Sequence, residues 1–219
     1  MKCVDKGRSV ANVSPCVAAS RFGDGRRLRI GLLGGSFNPA HEGHRQLAQR
    51  ALKGLHLDQV WLMVSPGNPL KSRRGMAPFA RRLKSAQSIA DGRHIVVTDI
   101  EKKIGERYTV RSVARLKEMF PHCQFVWLMG SDGLAQFSRW RRWRTLANLV
   151  PIVVFPRPGS VIPALRGQAA SVLRARRVPP RRAAVLLKKG QEPGWSFLSA
   201  PQNAISSTIL RKAGQFRPT

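Results

Sequence analysis

Five continuous apolar runs of strand length, RIGLLG (29–34), QVWLMV (59–64), HIVVTD (94–99), QFVWLMG (124–130) and VPIVVF (150–155), constrain this chain more than any other feature. A strand with one wet face alternates apolar and polar residues, whereas a strand covered on both faces does not. The intervals between these runs have room for a crossover helix. Residues 43–55 place Leu47, Ala51, Leu52 and Leu55 on one helical face, and residues 78–90 do the same with Phe79, Leu83, Ala86 and Ile89. The pattern predicts an α/β fold with a doubly wound, mostly parallel sheet. Ligands of such sheets bind beyond the carboxyl ends of the strands. The segments GGSFNPAHEGH, SPGNPLKS and GSDGL fall at three such ends.

With 219 residues, 42% of them hydrophobic, one domain over 28–219 is expected. The first 27 residues are polar and basic, lack a core-forming pattern, and read as a flexible tail. After Phe155 the texture turns rich in Pro and Arg, which suggests a short helix near 161–174 and an edge strand at 183–187. A strand-like WSFL and a final helix opened by Ser206, Ser207 and Thr208 follow.

Cys3, Cys16 and Cys123 make neither an even framework nor a C-x-x-C pair, so a reducing, cytoplasmic location is expected. No uncharged run approaches the roughly 18 residues of a spanning helix, so no membrane partner is expected. The formal net charge of +28, from 39 Lys and Arg against 11 Asp and Glu, calls for anionic ligands. Nucleic acid is argued against, because the cations are dispersed and no RNP-like, helix-turn-helix or zinc-finger pattern accompanies them. A homo-oligomer is left open.

The glycine stretch GLLGGSFNPAHEGH fits neither G-x-x-x-x-G-K-[ST] nor G-x-G-x-x-G, and its two histidines stand three apart where a zincin helix needs four. A strand leading through glycines into a helix still offers free N–H groups to an anion. His41 and His44 at i and i+3 would add donors on one side of the helix start, although a lone His-x-x-His is more commonly a surface or capping pair. In ISSTILR (205–211) the hydroxyls suit a helix N-cap, and Arg211, a turn later, carries a fork suited to phosphate oxygens.

As whole strings these segments resemble known ones. GGSFNPAHEGH is similar to the G-G-x-F-x-P-x-H-x-G-H stretch of the nucleotidylyltransferase superfamily, a Rossmann-like fold, and ISSTILR to the I-S-S-T-x-I-R of its adenylyltransferase branch, with Leu210 where isoleucine is usual. SPGNPLKS, ERYTVRSV, GSDGLAQFSRWRRW and FPRPGS narrow the resemblance to bacterial nicotinate mononucleotide adenylyltransferases, in the family's order over about 28–211. The resemblance implies catalytic roles for His41, His44 and Arg211. It implies ATP contacts from these three and from Gly34, Gly35, Ser36, Phe37, Gly130, Asp132, Ser206, Ser207 and Thr208. Asn68 and Lys71 would approach the mononucleotide phosphate, Thr109 and the backbone after Trp140 the pyridine carboxylate, and Trp140 the ring, with Arg141 beside it. Asp132 would lie near the ribose or the metal. Gly133 and Arg141 depart from the family's usual serine and aromatic residue. Trp140 and Trp143, three apart, would share a helix face.

The implied reaction joins ATP and nicotinate mononucleotide into nicotinate adenine dinucleotide and pyrophosphate, with Mg²⁺ carried mainly by the ATP phosphates and no dedicated protein metal site. Another acceptor, such as phosphopantetheine or nicotinamide mononucleotide, and a basic nucleic-acid binder are the alternatives.

Overall fold

The computed structural model describes residues 22–67, 75–188, 190–199, 205–214 and 216. Its sheet has seven parallel strands: β1 (Arg29–Gly35), β2 (Gln59–Val64), β3 (Ile95–Thr98), β4 (Gln124–Gly130), β5 (Ile152–Phe155), β6 (Arg177–Val178) and β7 (Trp195–Phe197). The spatial order is β3-β2-β1-β4-β5-β7-β6. The chain winds outward from β1 to β3, then crosses back to lay β4 on the other side of β1, with Leu32 opposite both Trp61 and Trp127. Connections leaving β1 and β4 therefore diverge, which opens a crevice between their carboxyl ends, Gly34–Gly35 and Gly130.

Both faces of the sheet are covered, as the unbroken apolar runs require. Alternate residues of β1 serve opposite layers. Ile30 and Leu32 pack with α4 (Thr109–Met119), α5 (Ser131–Gln136) and α6 (Trp143–Leu149), and Leu33 packs with α1 (Glu42–Leu55) and α2 (Phe79–Gln87). A short α3 (Ile100–Lys103) leads into α4, and α9 (Ser207–Lys212) is the last helix.

Two sequence expectations need correction. The stretch at 183–187 is part of a 3₁₀ helix, Pro180–Leu187, which buries Ala183, Leu186 and Leu187. Pro179 and Pro180 disfavour a ladder strand, and the spacing of Ala183 and Leu186 suits three residues per turn. The sheet edge is instead β6. The helix near 161–174 is two short ones, α7 (Val161–Arg166) and α8 (Gln168–Val172), separated by Gly167 in extended backbone.

Part of the expected tail is docked. The Asp24 N–H donates to the Met119 carbonyl (3.2 Å), and the Arg26 guanidinium lies 5.5 Å from the Phe120 ring centre. Residues 1–21 fall outside the described residues. Among the described residues no helix is long and apolar enough to cross a membrane.

Candidate active site

The site begins where β1 runs out. Beyond Gly35 the chain turns through Phe37, which is buried with φ 47°, and Asn38, joined to Pro39 by a cis peptide. His41 is then the N-cap residue of α1 and His44 lies in its first turn. The rings lie against each other, centroids 3.9 Å apart and planes tilted by 43°. The His41 backbone N–H donates to His44 Nδ1 (3.2 Å), so the proton of a neutral His44 ring sits on Nε2. His41 is only 6% exposed, and neither ring nitrogen has a partner among the described residues. Burial chiefly, and the nearby Arg157 charge secondarily, push its pKa down to about 4.

Helix α9 is fastened to this loop. Ser206 caps it by accepting from the Ile209 N–H (3.2 Å), and the Ser207 hydroxyl donates to the Pro39 carbonyl (2.8 Å). Arg211 donates through Nη1 to the Asn38 carbonyl (2.5 Å) and through Nη2 to Thr208 Oγ1 (3.3 Å). A cavity of about 320 Å³ lies here, lined among others by Gly34–Asn38, His44, Ser206–Thr208 and Arg211. Gly130, Asp132 and Arg157 line it as well. A Cβ on Gly130 would come within 2.3 Å of Asp132 Oδ1 and 2.7 Å of Arg157 Nε, so glycine is what lets that pair meet at 3.5 Å. The Arg157 backbone is pinned by Ser131 Oγ (2.8 Å), itself 2.6 Å from Ser160 Oγ.

A second lobe, about 420 Å³, adjoins the first. The two share Gly34, Gly35, Ser36, Trp127, Asp132, Gly133 and Trp140 as a common wall. Gly34 is forced by the Trp127 ring, which a Cβ there would meet at 2.5 Å. Trp140 stands edge-on to Trp127 (6.0 Å) and Phe137 (5.4 Å), and the Arg141 guanidinium lies 4.8 Å from the Tyr108 ring centre. Thr109, the first residue of α4, faces this lobe together with Ser65, Glu101, Arg107 and Arg139. Burial pushes the Glu101 carboxyl up to about 7, partly opposed by the hydrogen bond it accepts from Ser112 Oγ (2.9 Å).

Residues 32–213 match the cytidylyltransferase-like family. Over 192 residues the chain is 68% identical to a "Probable nicotinate-nucleotide adenylyltransferase" of Gluconobacter oxydans, covering 87% of this chain and 97% of that one. A protein of the same name from Gluconacetobacter diazotrophicus is 57% identical, covering 87% and 88%. The chain belongs to this family, in its nicotinate-nucleotide adenylyltransferase branch. The fold is that of the Plasmodium falciparum nicotinic acid mononucleotide adenylyltransferase solved with NaAD, at 19% identity and a TM-score of 0.63 over 84% of this chain and 82% of that one.

Most of the residues singled out in the sequence and described here line one of the two lobes, with two qualifications. His41 is packed beneath His44, the residue that lines the smaller lobe. Trp140 and Trp143 do not share a helix: Arg142, at φ 51° and ψ 42°, breaks the chain between them, leaving Trp143 in the core and Trp140 at the site. Asn68 and Lys71 lie outside the described residues.

Sequence reasoning missed Asn38, Arg82, Glu101, Tyr108, Trp127 and Arg157. Arg157 and Tyr108 sat inside quoted motifs at a strand end and a helix start, where a closer reading would have found them. Arg82 had no such signal. It is 2% exposed on a helix face otherwise apolar, and burial pulls its pKa below the ordinary arginine value.

The donor set also bears on Mg²⁺. Among the described residues no three His, Cys, Asp or Glu side chains cluster, and Asp132 is the one carboxylate lining the smaller lobe. Such a wall fits an ion brought in by the nucleotide and touched by at most one protein carboxylate.

Proposed function

We infer that the two lobes hold the two substrates of one adenylyl transfer: ATP in the smaller, with its triphosphate toward His44 and Arg211, and nicotinate mononucleotide in the larger. The residues the two lobes share, Gly34–Ser36 among them, carry this reading, because ligands filling two lobes that meet along the same residues have their reactive ends side by side. An oxygen of the mononucleotide phosphate attacks the α-phosphorus of ATP, the bond from that phosphorus to the bridging α,β-oxygen breaks, and pyrophosphate leaves with the electron pair. The acceptor is already an anion, so no general base and no protein nucleophile is required; positioning and charge neutralisation carry the rate. His44 Nε2–H, Arg211 and Arg157 neutralise charge, and the unpartnered Ser36 hydroxyl stands at the common wall. Mg²⁺ borne by the triphosphate, with Asp132 as its protein contact, would neutralise the leaving pyrophosphate.

In the larger lobe Trp140 and Tyr108 offer ring faces, and Thr109 and Arg141 offer donors to the pyridine carboxylate. That aromatic wall suits a pyridine better than the flexible thiol arm of phosphopantetheine. We place the reaction in the cytoplasm and read residues 1–21 as dispensable for it. Pyrophosphate release from ATP with a panel of phosphate acceptors tests the assignment. Release is expected with nicotinate mononucleotide and none with phosphopantetheine, and the opposite result would overturn it.

A further inference from the structure

We propose that Arg82 is the positioning residue that aligns the two substrate lobes, by holding the chain at the ends of β1 and β2 at a fixed separation. The inference rests on the reading of the lobes given above. Strands β1 and β2 pair as far as Gly35 and Val64, and one more backbone bond follows, from the Ser65 N–H to the Gly35 carbonyl (2.9 Å). Beyond that point the backbone ladder stops.

Arg82 takes over there. Its Nη1 donates to the Ser36 carbonyl (2.8 Å) and to the Ser65 carbonyl (2.7 Å) at once. Ser36 belongs to the wall common to both lobes, whereas Ser65 lines the larger lobe alone, so a single nitrogen spans the two substrate sites from behind. Nε donates to the Ala77 carbonyl (3.0 Å), which sets the guanidinium plane from the base of α2. The Asn38 side chain reinforces the same junction. It donates to the Gly75 carbonyl (3.0 Å) and accepts from the Ala77 N–H (3.1 Å), while its own carbonyl receives Arg211. The loop that carries His41 and His44 is thereby locked to the end of β2.

Stability is a poor reason for this arrangement. Among the described residues no carboxylate pairs with Arg82, so a nearly fully buried cation is offset by carbonyl dipoles and by the Phe79 ring, 5.4 Å from the guanidinium, and burying a charge without a counter-ion carries a large desolvation cost. The fork geometry supplies what the site needs: several donors fixed in one plane, which a lysine ammonium cannot reproduce. Transfer between two bound ligands is sensitive to displacements of about 1 Å, whereas binding of either ligand alone is not.

The test separates alignment from folding and from binding. Arg82→Lys and Arg82→Ala are prepared, and three quantities are measured well below the unfolding temperature. These are the Kd for an α,β-methylene analogue of ATP, the Kd for nicotinate mononucleotide, and kcat at saturation. Both dissociation constants are expected within threefold of wild type while kcat falls at least thirtyfold, and ethylguanidinium is expected to restore Arg82→Ala at least fivefold. A kcat within threefold of wild type in folded Arg82→Lys overturns the proposal. So does a loss that follows weakened binding, or a failure of both variants to fold, which would make Arg82 a stability residue. A wild type that releases no pyrophosphate would instead defeat the reading of the lobes, and this inference with it.

Discussion

In the smaller lobe the groups facing a ligand are backbone ends and side chains tied to backbone: glycines leaving β1, the start of α1, and Arg211 bonded to the Asn38 carbonyl. In the larger lobe they are rings and long cations packed against rings: Trp127 of β4, Tyr108 before α4, and Trp140 and Arg141 of the connection into α6. The first construction suits an invariant partner, since a triphosphate always presents the same oxygens to the same donors. The second suits a choice among partners, since ring stacking and a few donors discriminate one heterocycle from another. Changes in the first lobe should therefore alter rate without altering preference, and changes in the second should do the reverse.

The largest effect is expected from His44→Ala and Arg211→Ala. On the proposed assignment each removes a donor to phosphate charge, worth about 2 to 4 kcal/mol in the transition state, or roughly 30- to 10³-fold in turnover. His44 is partly exposed and its ring faces the cavity, so its removal should move the thermal midpoint little. Steady-state rates with both mononucleotides, run beside a melting curve, decide the matter. A wild-type rate for His44→Ala would remove the phosphate assignment, and a changed acceptor ratio would break the division between lobes.

How much of this was open to the sequence follows the same division. The smaller lobe was legible because GGSFNPAHEGH and ISSTILR each place several contacts in one contiguous string, with spacing fixed by a turn and a helix start. The central strands were legible because two covered faces leave an unbroken apolar run. The larger lobe is assembled from the ends of β1, β2 and β4 and from the starts of α3 and α4, and no local pattern announces such a convergence. Trp127 reads as an ordinary core residue of β4, and Glu101 as an exposed helical glutamate. Arg82 was invisible for a related reason: an arginine next to Arg81, between Phe79 and Leu83, reads as the wet edge of an amphipathic helix. The Pro-rich stretch at 180–187 failed differently, because an apolar run of five residues fits a short strand and a 3₁₀ helix equally well.

The next effect is acceptor choice. On the proposed assignment Thr109 and the N–H groups following Trp140 would supply donors to a carboxylate, and a nicotinamide would turn its own N–H₂ toward them. A buried mismatch of that kind costs roughly 1 to 3 kcal/mol. Nicotinate mononucleotide should lead nicotinamide mononucleotide by at least about tenfold in kcat/KM, the factor that 1.4 kcal/mol gives. Thr109→Val should narrow that ratio while leaving KM for ATP unchanged. Equal rates for both acceptors in the wild type would contradict the assignment, and an unaltered ratio in Thr109→Val would take that residue out of it.

The smallest effect sets one buried titratable group of each lobe against the other. His41 titrates near 6.5 when unfolded and about 4 when folded, because burial disfavours its charged form. The unfolded chain therefore binds the extra proton on acidification. The His41 contribution to stability is complete above pH 6.5 and is lost as pH falls toward 4. Glu101 moves the other way, from 4.5 unfolded to about 7 folded, again through burial. Its contribution is complete below pH 4.5 and is lost as pH rises toward 7. Between pH 4.5 and 6.5 the two slopes oppose each other, so the wild type should show a flatter profile than either group alone would give. Glu101→Gln removes one slope and exposes the other. Relative to wild type it should lose stability on acidification across that window, by on the order of 1 kcal/mol. His41→Asn should lose stability in the opposite direction, toward pH 7. Urea midpoints at pH 4.5, 5.5, 6.5 and 7.5 for the three proteins measure both signs. Profiles that run parallel to wild type would mean that neither lobe holds its group in the burial seen here.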